Sequence, residues 1–444
     1  MASVKNFHPS ITPQRREEWK LIRDCMDGEL AMKQRGEDYL PCPSGFKSQA
    51  DGGAAAYKAY TNRAQFPELL APSVGAMIGI IHGQEIQVEI PTQMEYLWEN
   101  ADGMGLPLEA FHRRITRELL TIGGYSVLAD AETAGSDPWL AGYSRDALIN
   151  WDTDWFVLDE TTMVRKGFVW EKIEKYRLLT LEQLAYQATV YEGDVSEGEK
   201  IDIRGRGGKP LPRIPFAVAS ALDLSPKVEA PPLIGVANAA KAIYQLSADY
   251  RHQLYMSGQE TLVAINGDAP DTVGAGVVHE MRGTEGQNPD LKYVSPTCAG
   301  IEAHKVAMAD CREAAVMAGA RLFEQTAAGD ESGEAKRLRY ASETATLTTI
   351  AQSSCLLLER SLRNAAMIMG LPEDDIVVNA PTDLMDRTMS PQDFAALFGV
   401  YVEGGMSWET LHENGVKGGI YSTERSAEEE AKLLEGPRGQ EEVA

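Results

Sequence analysis

Hydrophobic residues recur at spacings of three and four along several long segments, which is the pattern of amphipathic helices. In the clearest segment, residues 104–130, an apolar stripe stops at Gly123 and Gly124, and the apolar run YSVLAD follows. We predict a helix that ends at this glycine pair and a short buried strand after it. The stripe consists of Leu108, Phe111, Ile115, Leu119 and Ile122.

The N-terminal segments carry weaker patterns. Residues 1–60 are mostly polar and predict an arm with one helical stretch, which begins after Thr12 and Pro13. Residues 56–82 predict a second helix. The stretch QEIQVEI then alternates apolar and polar residues, which indicates a strand with one face in water.

Residues 61–230 as a whole predict mixed α/β structure with local connections. The stretches ALINWDTDWFVLDE and KGFVWEKIEKYRLLT alternate aromatic or β-branched residues with polar ones, which indicates strands in a hairpin. The stretch LTLEQLAYQATVYE fits a helix as well as a strand.

The second half of the chain is dominated by helical periodicity. We predict helices over PPLIGVANAAKAIYQLSADYRHQL (231–254) and over 301–325. The segment between them has short strand signals at LVAI, at Val277 and Val278, and at LKYV. A Gly/Asp/Ser loop at 326–333 leads into a long helix at 334–369, and its threonine-rich middle predicts a kink. A strand at VVN and two short helices from Pro391 onward follow, and the acidic tail 424–444 predicts disorder.

One stripe of the helix at 301–325 consists mostly of small residues, so another helix backbone can approach it closely. A long helical hairpin with such a stripe suits packing against neighbouring copies of the chain, and we predict an inter-subunit contact there. The alternative is an ordinary helical domain. The stripe is His304, Met308, Cys311, Ala315, Ala318 and Leu322.

Composition narrows the class of protein. The 444 residues carry 42 basic and 66 acidic side chains, a net charge of −24, which argues against a coat on nucleic acid. No apolar run is long enough for a membrane helix, and the N-terminus lacks an apolar secretory core. Five cysteines without metal-ligand spacing indicate free thiols in a reducing compartment. We therefore expect assembly in a cytoplasm.

Few residues suggest catalytic chemistry. Asp152 and Asp154 are two apart, so on a strand they share a face and could hold a divalent cation; a solvated strand edge is the simpler interpretation. The stretch GRGGKP lacks the Ser/Thr and the following helix of a phosphate-binding loop. We predict no catalytic residue, no metal site and no cofactor.

Four cations fall within ten residues around that glycine-rich stretch. They are candidates for contact with nucleic-acid phosphate or with an acidic neighbouring subunit, and a solvated loop is the alternative. These residues are Arg204, Arg206, Lys209 and Arg213.

The chain resembles the portal (head–tail connector) proteins of tailed bacteriophages over residues 30–400. The resemblance rests on AYKAYTNRAQFPELLAPSVGAMIGIIHG, GMGLPLEAFHRRITRELLTIGGYSVLAD and ALINWD in the first half. In the second half it rests on PPLIGVANAAKAIYQLSADYRHQL, LVAING and SGEAKRLRYASETATLTTIAQSSCLLLERSLRNAAMIMG. The Ser-Gly-x-Ala opening of the long helix is the most specific element.

The resemblance implies an α+β portal fold with a mixed α/β wing, a two-helix stem, a small α/β clip, a long kinked wing helix and a short helical crown. Residues 1–232 would be the wing with its N-terminal arm, and 334–389 its long helix and return strand. Stem helices at 233–258 and 301–325 would flank a clip at 259–300. A tunnel loop would lie at 326–333, and a reduced crown with an acidic tail at 390–444.

The resemblance also implies a function without enzymatic activity. Such proteins form rings of about twelve subunits at one capsid vertex, through which double-stranded DNA passes without sequence specificity. Expected partners are the terminase large subunit, the head–tail adaptor, and the major capsid and scaffolding proteins, with no membrane. Expected tunnel-side residues are Gln325, Thr326, Asp330, Glu331 and Ser332. The protein would reside in the virion after assembly in the host cytoplasm.

Two other classes of function stay open on the sequence alone. One is a cytoplasmic metal- or nucleotide-dependent hydrolase that uses Asp152, Asp154 and their neighbours. The other is a helical adaptor or scaffold protein without a DNA channel.

Overall fold

The structure of the chain is a computed structural model that describes most of its residues. The described residues are 4–83, 86–133, 136–193, 198–201, 203–258, 261–267, 270–273, 280, 286, 288–294, 300–320, 333–381, 391–402, 404–417, 420–421, 425–429 and 431.

Helices occur along the whole described chain. The α-helices are α1 (Pro13–Asp27), α2 (Glu29–Gln34), α3 (Ala54–Arg63), α4 (Leu70–His82), α5 (Leu108–Thr121), α6 (Ile234–Ser257), α7 (Ile301–Ala315), α8 (Gly333–Met369), α9 (Pro391–Val402) and α10 (Trp408–Lys417). The predicted helices at 233–258 and 334–369 are confirmed within a residue or two.

Strands lie mainly between α5 and α6. They are β1 (Gln87–Glu89), β2 (Gly124–Asp130), β3 (Trp139–Ser144), β4 (Leu148–Trp151), β5 (Trp155–Asp159), β6 (Thr162–Lys166), β7 (Val169–Ile173), β8 (Lys175–Glu182), β9 (Ala185–Glu192), β10 (Glu199–Ile201), β11 (Phe216–Ser220), β12 (Thr261–Ile265), β13 (Asp290–Val294) and β14 (Val377–Asn379). The mixed α and β composition that the sequence predicts is confirmed.

These strands form small antiparallel sheets. The largest has the order β10-β9-β8-β5-β4, and a second has the order β11-β2-β3. Two-stranded pairs join β1 to β14, β6 to β7 and β12 to β13. The undecided segment 179–192 is thus two strands, because its alternating apolar residues Leu179, Tyr186, Ala188 and Val190 supply the buried face of the large sheet.

The core of the first compact unit, residues 1–381, lies where α5 and α8 pack on each other and on the sheet of β2 and β11. The predicted stripe of α5 is buried throughout, from Leu108 to Ile122, and every residue of β2 is buried. Gly123 has a φ of +81°, so the glycine pair ends the helix as predicted. Helix α8 is one uninterrupted α-helix of 37 residues, and the kink stays a prediction.

The prediction of a polar N-terminal arm is wrong. Helix α1 begins after the N-cap Thr12 as expected, but its residues Trp19, Ile22 and Cys25 are buried in the core of this unit, where α1 contacts α6. The buried Asp24 carboxylate accepts hydrogen bonds from Arg35 at 2.8 Å and from the Tyr39 hydroxyl at 2.6 Å. The charged residues of this segment lie on the opposite face of the helix, which gave it a polar average composition.

The predicted helix at 56–82 is two helices. Helix α3 ends at Arg63 and α4 begins at Leu70. Pro67 lies between them, and the residue before a proline is biased away from helical backbone angles. The backbone N–H of Gln65 in this break donates to the Ser247 hydroxyl of α6 at 3.0 Å.

The second compact unit, residues 382–444, contains α9 and α10. Both helices were predicted, and both are present. Trp408, His412 and Tyr421 form an aromatic cluster, in which His412 stacks on Tyr421 at 5.1 Å and the Trp408 indole N–H donates to the Ala427 carbonyl at 2.8 Å. The predicted disordered tail lies largely outside the described residues.

Candidate functional site

The candidate assembly site is a helical arm, which we define as α6, β12, β13 and α7. The first two thirds of α6 are rooted in the body, with Val236, Ile243 and Tyr244 buried. Toward its end the helix becomes exposed, and Leu254 and Met256 have apolar side chains in water. The arm thus begins in the core and ends at the surface.

Helix α7 packs chiefly on α6 of the same chain. At one end the His304 Nε2 atom lies 3.1 Å from the Gln253 Nε2 atom of α6. Beyond the other end, a Cβ atom on Gly235 would lie only 2.8 Å from Ala318 Cβ, so glycine is what lets the two segments approach there. Only Ala315 of α7 is buried, and most of the rest of the helix is exposed.

The small-residue stripe lies partly on the α6 side of α7. His304, Met308, Cys311 and Ala315 are among the less exposed positions of α7, which packs chiefly on α6. The contact between subunits that the sequence predicts for this stripe stays a prediction. The opposite, outer face of α7 is exposed and includes the apolar residue Val306.

The second predicted stem helix is shorter than expected. The α-helix ends at Ala315, and a π-helical turn follows over Val316–Ala320. Gly319 within this turn has a φ of +126°, which an α-helix does not allow. Leu322 of the stripe and the expected tunnel-side residues Gln325, Thr326, Asp330, Glu331 and Ser332 lie outside the described residues.

The far end of the arm carries a two-stranded antiparallel pair. Thr261 pairs with Val294, and Ile265 pairs with Asp290. Tyr293 and Val294 are exposed there. The strand signals at LVAI and LKYV are confirmed, while the signal at Val277 and Val278 lies outside the described residues.

The four cations of the glycine-rich segment have different surroundings. The Arg213 guanidinium donates to the Glu373 carboxylate at 2.8 Å and to the Asn364 side-chain oxygen at 3.2 Å, so it ties this segment to α8 and the loop after it. Arg204, Arg206 and Lys209 are exposed around a tight turn, where Gly207 has a φ of +78°. Arg213 thus takes part in intrachain packing, whereas the other three cations lie at the surface.

The paired carboxylates lie in a turn. Asp152 and Asp154 are exposed between β4 and β5, and Asp152 Oδ1 accepts from the Thr153 backbone N–H at 2.7 Å. Within the described ranges, no group of three or more His, Cys, Asp or Glu side chains is placed to hold a metal ion. The Asp152 carboxylate thus makes a local contact within this turn.

A buried polar cluster was not foreseen. The His112 Nε2 atom lies 3.2 Å from the Ser354 hydroxyl of α8 and 3.8 Å from the Cys355 sulfur. The His82 ring packs edge-on against His112 at 4.8 Å, and its Nε2 atom lies 2.9 Å from the Thr116 hydroxyl. His82 and His112 are 30 residues apart in sequence and share no motif spacing, so only the packing of α4, α5 and α8 unites them.

Burial determines the charge state of this cluster. Burial lowers the pKa of His112 to about 3, with a smaller contribution from His82. Burial also lowers the pKa of His82 to about 4, and the Arg113 cation adds to the effect. Both imidazoles are therefore neutral at neutral pH. They line a cavity of about 380 Å³ together with Val88, Trp98, Leu108 and Leu358.

A second unforeseen feature is the exposure of the β6–β7 hairpin, residues 162–173. The sequence predicted strands in a hairpin here and made no prediction about their burial. In the structure, every residue of β6 is exposed, as are the first four residues of β7. An alternating pattern of apolar and polar residues predicts a strand, but it does not predict whether another element packs on that strand.

Comparisons with known proteins give limited information. Residues 232–369 match a family described as a domain of unknown function (DUF4055). No curated protein matches the chain. Among the described residues, no helix is long and apolar enough to cross a membrane.

Several solved structures are similar to the chain. One is a chain of the virion of a native gene transfer agent (GTA) particle, with 15% identity and a TM-score of 0.41 over 80% of this chain and 90% of that chain. A chain in the neck of the native GTA particle computed with C12 symmetry has 16% identity and a TM-score of 0.43, with coverage of 80% and 90%. A chain in the neck of the empty GTA particle computed with C6 symmetry has 14% identity and a TM-score of 0.42, with coverage of 80% and 91%. The similar structures are thus chains in virion and particle-neck assemblies.

Proposed function

We propose that this chain is a portal protein, a subunit of a ring at one vertex of a capsid. The ring would conduct double-stranded DNA during packaging and ejection, and it would provide the platform on which the terminase large subunit and the head–tail adaptor dock. The chain itself would perform no catalysis.

The observation that carries this proposal is the helical arm. Helix α6 begins among buried residues of the body, while α7 packs chiefly on α6 and leaves its outer face in water. Apolar residues on both helices, and on the turn after α7, are exposed in the part of the chain that the structure describes, and a packing partner would give them cover; they are Leu254, Met256, Val306 and Met317. Identical arms that pack side by side in a closed ring would supply that cover.

The charge of the chain supports a conduit for DNA. With a net charge of −24, each subunit repels a polyanion over about one Debye length, which is roughly 8–10 Å at physiological salt. A channel wall of the same sign as DNA lowers adhesion, so DNA would slide without sequence-specific contacts. The three exposed cations of the glycine-rich turn would then be local contacts to DNA phosphate or to a neighbouring subunit.

We assign parts of the chain to portal subdomains within this proposal. The wing would be residues 1–232 together with the long helix and return strand at 334–389. The stem would be α6 and α7, the clip 259–300 with the docking surface, and the crown 390–444. The tunnel loop at 326–333 would face DNA through Gln325, Thr326, Asp330, Glu331 and Ser332.

Mass photometry with negative-stain electron microscopy tests the proposal. Twelve chains of 48.5 kDa would give particles of about 580 kDa with an axial opening. The double variant Val306→Glu with Met317→Glu should shift the protein toward single chains, because it places charges on the surface proposed to be covered. The matched control is Leu30→Glu, at an exposed leucine of α2 outside the arm.

Two results would contradict the proposal. A wild-type protein that stays a single chain at high concentration would argue against a ring. Particles without an axial opening would instead favour an adaptor or scaffold protein.

Deletion of residues 326–333 should leave rings intact but impair DNA packaging or retention.

A further inference from the structure

The hairpin of β6 and β7, which we call the ribbon (residues 162–173), extends one strand pair of the large sheet beyond its edge. The pair Asp159 and Tyr176 ends the β5–β8 register, and the pair Thr162 and Ile173 resumes it three residues later on each strand. The backbone N–H of Glu160 donates to the Lys175 carbonyl at 2.8 Å across the junction. The ribbon therefore projects from the sheet by about 15 Å, given the rise of about 3.4 Å per residue.

The ribbon presents an unusual amount of apolar surface to water. Phe168 at its tip is 96% exposed, and Trp170 and Met163 are 60% and 52% exposed. Val164 and Val169 are exposed as well. A two-stranded ribbon with no cover is marginally stable in water, so this arrangement requires a surface that packs on it.

The turn of the ribbon is built to hold its tip in place. Gly167, the first of the two turn residues, has a φ of +67°, which suits a two-residue hairpin loop. The Arg165 Nε atom donates to the Gly167 carbonyl at 2.6 Å, and the Arg165 guanidinium lies 5.6 Å from the centre of the Phe168 ring. These contacts fix the direction of the tip without burying Phe168.

The two faces of the ribbon differ in charge. Directly paired residues share a face, so Met163 with Lys172 and Arg165 with Trp170 form one face that carries two cations and no acid. On the other face, Lys166 and Glu171 neutralise each other in an ion pair at 2.7 Å. The first face is thus both apolar and basic, and it suits a surface that is apolar and acidic.

We propose that the ribbon docks on a second copy of this chain. Charge complementarity favours this partner, because each copy has 66 acidic and 42 basic residues while the docking face of the ribbon is basic. The exposed parts of the two aromatic side chains would bury about 300 Å², more than a third of one partner's share in a standard interface. The remainder would come from the helical arms, so this inference rests on the proposed ring.

Nucleic acid is a poorer partner for the ribbon. Its two unpaired cations would contact phosphate, but the exposed Met163, Val164 and Val169 have no counterpart on a nucleic-acid backbone. The acidic body behind the ribbon would also repel a polyanion. A subunit surface accommodates both the charge and the apolar area.

Site-specific photo-crosslinking tests the inference. The photoreactive residue p-benzoylphenylalanine is placed at position 168 of the full chain, and irradiation should give covalent species of two or more chains. Mass spectrometry then identifies the segment of the second copy. The control carries the same residue in place of Met104, which is 93% exposed in a loop of the body and should crosslink at least tenfold less.

A substitution gives an independent readout. The double variant Phe168→Asp with Trp170→Asp should raise the protein concentration needed for half-assembly by tenfold or more, while Met104→Asp leaves it unchanged. Circular dichroism confirms that each variant is folded. The crosslinking experiment changes only position 168, so its result remains valid even if the double variant misfolds.

The outcomes separate this inference from the proposed function. Rings that form normally without a chain-to-chain crosslink at position 168 overturn the inference and leave the ring standing. Crosslinked pairs without rings support the inference and refute the ring. Crosslinking to added duplex DNA in place of a second chain overturns the inference, as does a protein that neither assembles nor crosslinks, which also refutes the ring.

Discussion

The two buried histidines should make the protein unstable in mild acid. The pKa of His112 falls to about 3 and that of His82 to about 4 in the folded chain, against 6.5 for an ordinary histidine. Between those limits only the unfolded chain binds the protons, so stability is complete above pH 6.5 and is lost as the pH falls. From pH 6.5 to pH 5 the loss is 1.5 pH units at about 1.4 kcal/mol each, or about 2 kcal/mol for the fully buried His112. The loss from His82 is smaller, because that side chain is only half-buried and water screens it.

The substitution His112→Asn isolates the His112 part of this effect. The asparagine amide keeps a polar group near Ser354 but does not titrate, so the variant should lose about 2 kcal/mol less than the wild type on going from pH 7 to pH 5. Its stability at pH 7 falls as well, because the smaller side chain leaves part of the site unfilled.

Urea denaturation at fixed protein concentration measures this difference. Tryptophan fluorescence is a suitable signal, since Trp98 lines the same cavity. His304→Asn, on the partly exposed helix α7, controls for loss of a histidine elsewhere. If the wild type and His112→Asn lose the same stability between pH 7 and pH 5, the His112 imidazole is not held neutral by burial and the reasoning is refuted.

Three further substitutions test the packing described above by thermal or urea unfolding. Asp24→Ala removes the shared acceptor of an arginine and a tyrosine and should cost about 2–3 kcal/mol, whereas Asp38→Ala, at an exposed carboxylate, should cost less than about 0.5 kcal/mol. Equal costs would contradict a buried role for the first. Gly53→Ala should cost about 1–3 kcal/mol, because the residue has a φ of +83° and a Cβ would lie 2.4 Å from a backbone oxygen; Gly45→Ala meets nothing and should be neutral. Arg213→Ala should cost about 1–2 kcal/mol through its lost bonds to α8 and the following loop, and an unchanged unfolding midpoint would return this arginine to the candidates for phosphate contact.

The spacing of apolar residues predicted a helix or strand correctly where one face of that element is strongly apolar. The stripe from Leu108 to Ile122 and the Gly123–Gly124 stop located α5 and β2 correctly, and the long helix at 333–369 was found from its spacing alone. The average composition of a longer segment did not predict which of its residues are buried. The N-terminal segment is polar on average, yet Trp19 and Ile22 lie on one buried face of α1.

The candidate site was less predictable, because the spacing of residues along the sequence does not determine which elements pack on each other. The stripe of mostly small residues from His304 to Ala315 indicates that another helix packs closely on α7. It does not indicate whether that helix belongs to the same chain or to another copy. The exposure of the ribbon could not be predicted either, because the alternation around Phe168 and Trp170 indicates a strand but not whether anything packs on it. The histidine cluster joins positions 112 and 354, which only the tertiary fold brings together.

The burial of α1 against α6 also has a consequence for how the chain is made. The Cys25 sulfur lies 4.0 Å from the Ala237 carbonyl, 212 residues later in the sequence. At about 5–20 residues synthesised per second, the α6 part of this contact becomes available roughly 10–40 s after α1 has been made. During translation α1 can first pack on α2 and α4, which also contact it and are made much earlier, so its burial is completed in two stages.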